Sequence, residues 1–108
     1  MSYKIVPTAD FRSEFKKLFK KFPSLKREID QLGVSLETNP LQGTAIGKDC
    51  YKIRLAIRSK NAGKSGGARV ITHIKIIRQT VYLLSIYDKS EQSTLADKDI
   101  EARIKNIR

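Results

Sequence analysis

From Phe11 onward the chain repeats its apolar residues at helical intervals. Phe11, Phe15, Leu18, Phe19 and Phe22 fall at i, i+4, i+7, i+8 and i+11. That spacing lays one apolar stripe along a helix. Lys16, Lys17, Lys20 and Lys21 flank the stripe, Thr8 is placed to cap the helix start, and Pro23 breaks it. Leu25, Ile29, Leu32 and Leu36 continue at the same period and predict a second helix that ends before Asn39-Pro40. A link this short predicts an antiparallel helical hairpin whose Phe and Leu stripes face a core.

The period then changes to two. Tyr3 to Pro7 alternates briefly and predicts a short first strand. Leu41 to Lys48 reads as a loop with Gly43 and Gly47. In Cys50 to Arg58, Tyr51, Ile53, Leu55 and Ile57 share one parity, while Lys52, Arg54, Ala56 and Arg58 share the other. This predicts a strand with one apolar face and one cationic face. Ala68 to Ile77 predicts the next strand, Gln79-Thr80 a short turn, and Val81 to Tyr87 a strand apolar on both parities, hence central with both faces covered. A connection of two or three residues can join only antiparallel neighbours. Thr94, with Asp97 three residues on, predicts a capped final helix carrying Ile100, Ile104 and Ile107. Its early Asp97, Asp99 and Glu101 and late Arg103, Lys105 and Arg108 suit the helix dipole. The predicted fold class is α+β, in the order β-α-α-β-β-β-α, with a mainly antiparallel twisted sheet and a helical hairpin packed on it. At 108 residues the whole chain, 1–108, is expected to form a single domain.

Charge sharpens the picture. The chain has 22 Lys+Arg against 11 Asp+Glu, a formal net charge of +11. Between Lys48 and Arg78 nine basic residues face one acid, Asp49, so this segment carries a net +8. A basic surface this concentrated points to a polyanionic partner. A single cysteine, Cys50, excludes an internal disulfide, and a single histidine, His73, argues against a zinc site. No metal or other cofactor is expected. No apolar run approaches the length of a membrane helix and no signal-peptide core is visible, so no membrane partner is expected and the chain is expected in the cytoplasm.

The stretch KNAGKSGGARV, residues 60–70, holds three glycines and three basic residues. Its Gly63-Lys64-Ser65 matches the end of a phosphate-cradling G-x-x-x-x-G-K-[ST] loop, but the first glycine of that motif falls on Arg58. The stretch also leads into a strand rather than a helix N-terminus. It therefore reads as a long hairpin connection, and Arg58, Lys60 and Lys64 around it are candidates for holding a phosphate backbone. If the two flanking strands pair antiparallel, Arg69 lies near Lys52 and Arg54. Three cations converging there hold phosphates by charge and guanidinium forks. Such crowding also eases proton loss from a lysine among them, which suits it to proton transfer. His73 shares parity with Arg69 and is a further candidate.

At these residues the chain resembles a known family. Cys50-Tyr51-Lys52-Ile53-Arg54-Leu55, Gly66-Gly67-Ala68-Arg69-Val70-Ile71 and Val81-Tyr82-Leu83-Leu84, running into Tyr87-Asp88-Lys89-Ser90-Glu91, are similar to the RelE/HigB toxins of bacterial type II toxin–antitoxin modules, within the RelE/ParE superfamily. The resemblance spans roughly residues 3 to 105. It implies a RelE-like fold and a ribosome-dependent, metal-independent endoribonuclease, an mRNA interferase that cuts mRNA in the ribosomal A site and inhibits translation. It implies catalytic roles for Lys52, Arg54, Arg69 and Lys89. Several relatives carry a base-stacking tyrosine in the final helix. None stands near Leu95 here, and Tyr87 is the nearest aromatic. The implied partners are an antitoxin of helix-turn-helix type, mRNA and the ribosome, with operator DNA reached only through the antitoxin. The superfamily's gyrase inhibitors, the ParE-like branch, usually lack the basic catalytic residues. A non-catalytic RNA- or ribosome-binding module is the other alternative.

Overall fold

The computed structural model describes residues 2–61 and 63–107. Its elements are β1 (Lys4–Pro7), α1 (Ala9–Lys21), α2 (Leu25–Thr38), β2 (Thr44–Gly47), β3 (Cys50–Leu55), β4 (Ala68–Lys75), β5 (Thr80–Asp88) and α3 (Asp97–Lys105). They build a five-stranded sheet in the order β1-β5-β4-β3-β2. β1 runs parallel to β5, and every other neighbouring pair is antiparallel. The α+β class and the predicted element order stand, with one strand added. β2 lies within the segment expected to be a loop.

The helix starts follow local chemistry. Thr8 caps α1, its Oγ1 accepting the Phe11 N–H at 3.2 Å. Pro23 separates α1 from α2. Phe11 and Leu18 of α1 and Leu25, Leu32 and Leu36 of α2 are buried in one cluster with Ile53, Val70, Ile74, Val81, Leu83 and Ile86 of the sheet. Fully burying each such side chain contributes about 1.5–3 kcal/mol. All nine residues of β5 are buried, as expected for a central strand. On the other face Cys50, Ile71, Tyr82, Leu84 and Tyr87 pack with Ile100 of α3, and Ile104 and Ile107 join them.

Several boundaries differ from the sequence pattern. β3 ends at Leu55, because Arg58–Lys60 curls into a 3-10 turn. Glu28 Oε2 accepts the Arg58 N–H at 2.7 Å, and the Ser59 N–H donates to Ser24 Oγ at 3.0 Å, so α2 pulls the chain out of the strand. β4 stops at Lys75, and the turn occupies residues 76–79, with Gln79 at a φ of 49°. That leaves Ile77 fully exposed. α3 begins at Asp97 behind Ala96, without a side-chain cap. The expected Thr94 cap does not form, because Thr94 lies two residues before the N-cap position, which Ala96 occupies. Arg108 lies outside the described residues.

A bulge sets the geometry of β5. Ile71 pairs with Ser85 but Thr72 pairs with Leu83, so Leu84 is an extra residue. One ion pair engages polar groups beside the bulge. Glu14 Oε1 accepts from Ser85 Oγ at 2.9 Å and from the Ile86 N–H at 3.3 Å. Arg103 grips Glu14 with both terminal nitrogens, at 2.7 and 3.0 Å, and donates to the Leu84 carbonyl at 2.9 Å. The clamp fastens α1 and α3 to the same point of the sheet.

Candidate nucleic-acid interface

Because β3 alternates, Lys52 and Arg54 project away from the Ile53 side that packs on α1 and α2. The β3–β4 register sets Arg54 directly opposite Arg69, and the β4–β5 register sets Arg69 opposite Tyr87. The three form a row across adjacent strands. Directly opposed side chains have Cβ atoms only about 4.5–5.5 Å apart, and like charges so placed repel. Among the described residues, none of Lys52, Arg54 and Arg69 forms a salt bridge.

Their surroundings differ. Arg54 is exposed and Lys52 half-buried. Lys52 Nζ donates to Thr94 Oγ1 at 3.3 Å. Arg69 is only 5% exposed. Its guanidinium donates to the carbonyls of Lys64 (3.0 Å), Ala68 (3.1 Å) and Ser65 (3.3 Å). The glycine-rich connection thus wraps over the arginine. Gly67 permits this approach: a Cβ at that position would lie 2.1 Å from the Leu55 carbonyl oxygen.

The remaining predicted residues divide. Lys89 follows β5, half-buried, and its N–H donates to the Gly67 carbonyl at 3.0 Å, which places it beside the same connection. Arg58 and Lys64 are exposed and line a groove between α2 and the end of β3, on the helical-hairpin side of the sheet. Lys60 is not available as a phosphate ligand. It is ion-paired with Asp88 and donates to Ser90 Oγ at 2.9 Å. Burial pushes the Asp88 carboxyl up, but hydrogen bonds from Lys60 and Ser90 outweigh it and hold the group below its usual range. His73 is also withdrawn. It is buried, 3.5 Å from Cys50 Sγ, with its ring stacked on Tyr82. Burial keeps it below the usual histidine range and so uncharged at neutral pH. Burial likewise pushes the Cys50 thiol up to about 11. Tyr87 is 4% exposed, so its ring cannot stack on a base.

Two contributors escaped the sequence pattern. Thr94 reaches Lys52 across 42 residues of chain, and Asp88 anchors the connection through Lys60. The acidic residue directly after the last apolar run was the one available signal for Asp88.

No protein-family model matches the chain. Solved structures do. An arginine double mutant of the E. coli toxin RelE in the free state superposes with a TM-score of 0.67 at 18% identity, covering 100% of both chains. The fold is that of the RelE toxins. The isolated E. coli RelE toxin gives a TM-score of 0.61 at 18% identity over 97% of this chain and 99% of that one. The RelBE2 toxin–antitoxin complex of Mycobacterium tuberculosis gives 0.59 at 16% identity over 82% and 99%. On this RelE fold, the Arg54–Arg69 row lies on the sheet face that α3 partly covers. No helix among the described residues is long and apolar enough to cross a membrane.

Proposed function

We propose that this chain is the toxin of a toxin–antitoxin pair and acts as an endoribonuclease on mRNA in the ribosomal A site. The observation that carries this reading is the direct opposition of Arg54 and Arg69, with Lys52 on the same strand face and no carboxylate paired to any of them among the described residues. Opposed like charges cost stability. A polyanion between them turns the repulsion into binding.

In the proposed reaction the ribose 2′-oxygen attacks the adjacent phosphorus and the bond to the 5′-oxygen breaks. The products are a 2′,3′-cyclic phosphate and a free 5′-hydroxyl. Arg69 and Arg54 hold the non-bridging oxygens and stabilise the charge that builds on them. Lys52 and Lys89 are the amines that take the 2′-hydroxyl proton and supply one to the leaving oxygen. Arg58 and Lys64 hold flanking phosphates. An antitoxin neutralises the chain and tethers it to operator DNA, and the antitoxin-bound M. tuberculosis relative supports that partner. The net charge of +11 suits an acidic antitoxin and ribosomal RNA alike.

The test is cleavage of a defined mRNA on programmed ribosomes by purified protein. The expected product is a 5′-hydroxyl fragment cut within the A-site codon, formed without added metal. Intact mRNA, accompanied by a DNA-damage response when the protein is expressed, would replace this reading with gyrase inhibition.

A further inference from the structure

The Tyr87 hydroxyl is buried and has no hydrogen-bond partner among the described residues. A buried donor left unpaired costs about 1–3 kcal/mol. Such orphans are rare and call for a reason. Packing does not supply one. The Tyr87 ring already fills its place against Ile71, Leu84 and Ile100, and a phenylalanine ring would fill it as well. The hydroxyl is therefore the unexplained part of the residue.

Its place in the sheet supplies the reason. Tyr87 is the direct register partner of Arg69, which is in turn the partner of Arg54. Thr94 stands close enough to the phenol to oppose the upward shift of its pKa, yet no hydrogen-bonding geometry joins the two hydroxyls. The Arg69 guanidinium holds neutral main-chain carbonyls of Lys64 and Ser65. An anionic oxygen forms bonds roughly twice as strong with such a donor, so a phosphate is a ligand able to compete with those carbonyls.

We propose that the Tyr87 hydroxyl is a further phosphate-holding group, donating to the non-bridging oxygen that Arg69 grips once the Lys64 and Ser65 carbonyls give way. This deepens the ribonuclease reading and rests on it for the identity of the substrate. Burial pushes the phenol above its ordinary range, against smaller opposing effects of Thr94 and Arg69. It therefore remains a protonated donor at neutral pH.

The test compares wild type, Tyr87→Phe and Tyr82→Phe. One readout is binding of an uncleavable 2′-O-methyl oligoribonucleotide, followed by anisotropy. The second is cleavage of mRNA on programmed ribosomes. The third is thermal stability. Tyr87→Phe is expected to bind about tenfold more weakly and to cleave about 10–100-fold more slowly, with a melting temperature equal to or above wild type. Tyr82→Phe, at the far end of the same strand, is expected to match wild type in binding and cleavage. If wild type binds but does not cleave and Tyr87→Phe still loses binding, the phosphate contact stands and the nuclease reading falls. Tyr87→Phe matching wild type in binding and cleavage overturns the proposal, as does failure of wild type to bind the oligonucleotide.

Discussion

The Glu14–Arg103 clamp and the Lys52–Arg54–Arg69 group are both built from charged side chains around the sheet, yet they obey opposite rules. In the clamp each charge meets its complement. The carboxylate takes four donors, and the guanidinium takes both carboxylate oxygens and a carbonyl. In the cationic group two arginines oppose each other, and their partners are neutral oxygens or none. Charge that fastens a fold is neutralised inside the chain. Charge that serves a ligand is left for the ligand to neutralise. Lys60 belongs with the clamp by this criterion, although its position in the chain groups it with the phosphate-binding candidates.

Four substitutions sharpen or break that contrast. The largest effect is expected from Arg69→Ala, which removes a charged donor from the reacting phosphate. Ribosomal mRNA cleavage should fall about 10²–10³-fold, while denaturant melts shift by about 1–3 kcal/mol as the carbonyls it holds lose their donor. Glu14→Ala should do the reverse. It strands Arg103 and the bulge, and because the pair is partly solvated the loss should be roughly 2–3 kcal/mol, below that for a fully buried pair. The protein that remains folded should cleave normally. Arg54→Ala should lower the slope of log affinity against log salt for RNA by about 1, with stability unchanged or slightly raised by relief of the like-charge contact. An unchanged slope would remove Arg54 from the interface.

The smallest effect concerns pH. His73 has a folded pKa below its ordinary value of 6.5, so between those two values the unfolded chain binds more protons. Stability therefore rises with pH through that window and is lost as pH falls from about 7 toward the folded pKa. Thermal melts across pH 5–8 should show this slope, and His73→Gln should flatten it. A slope unchanged by His73→Gln would assign it to another group.

Much of the architecture was legible because it rests on periods. The Phe stripe of α1, the Leu stripe of α2 and the parity of β3 are local patterns, and each produced the element it implied. The meeting of Arg54 and Arg69 was legible for the same reason, since parity and an antiparallel ribbon suffice to place it. β2 was not legible, because four residues of TAIG carry no usable alternation and the strand exists only by pairing with β3. Contacts made at long range were equally hidden. Arg103 reaches Glu14 across 89 residues, and no local signal links them. Side-chain burial was the other blind point. His73 and Tyr87 sit on the parity that carries Arg69, but Ile100 packs over this face and converts it from a surface into a second core.

The most direct test maps transcript 5′ ends across the whole cell after a brief pulse of expression, with wild type and Arg69→Ala side by side. New 5′-hydroxyl ends should appear within translated codons for wild type and be absent for Arg69→Ala at equal protein level. Equal patterns of new ends from both proteins, or none from wild type while growth still stops, would contradict the claim that the opposed arginines grip RNA for cleavage.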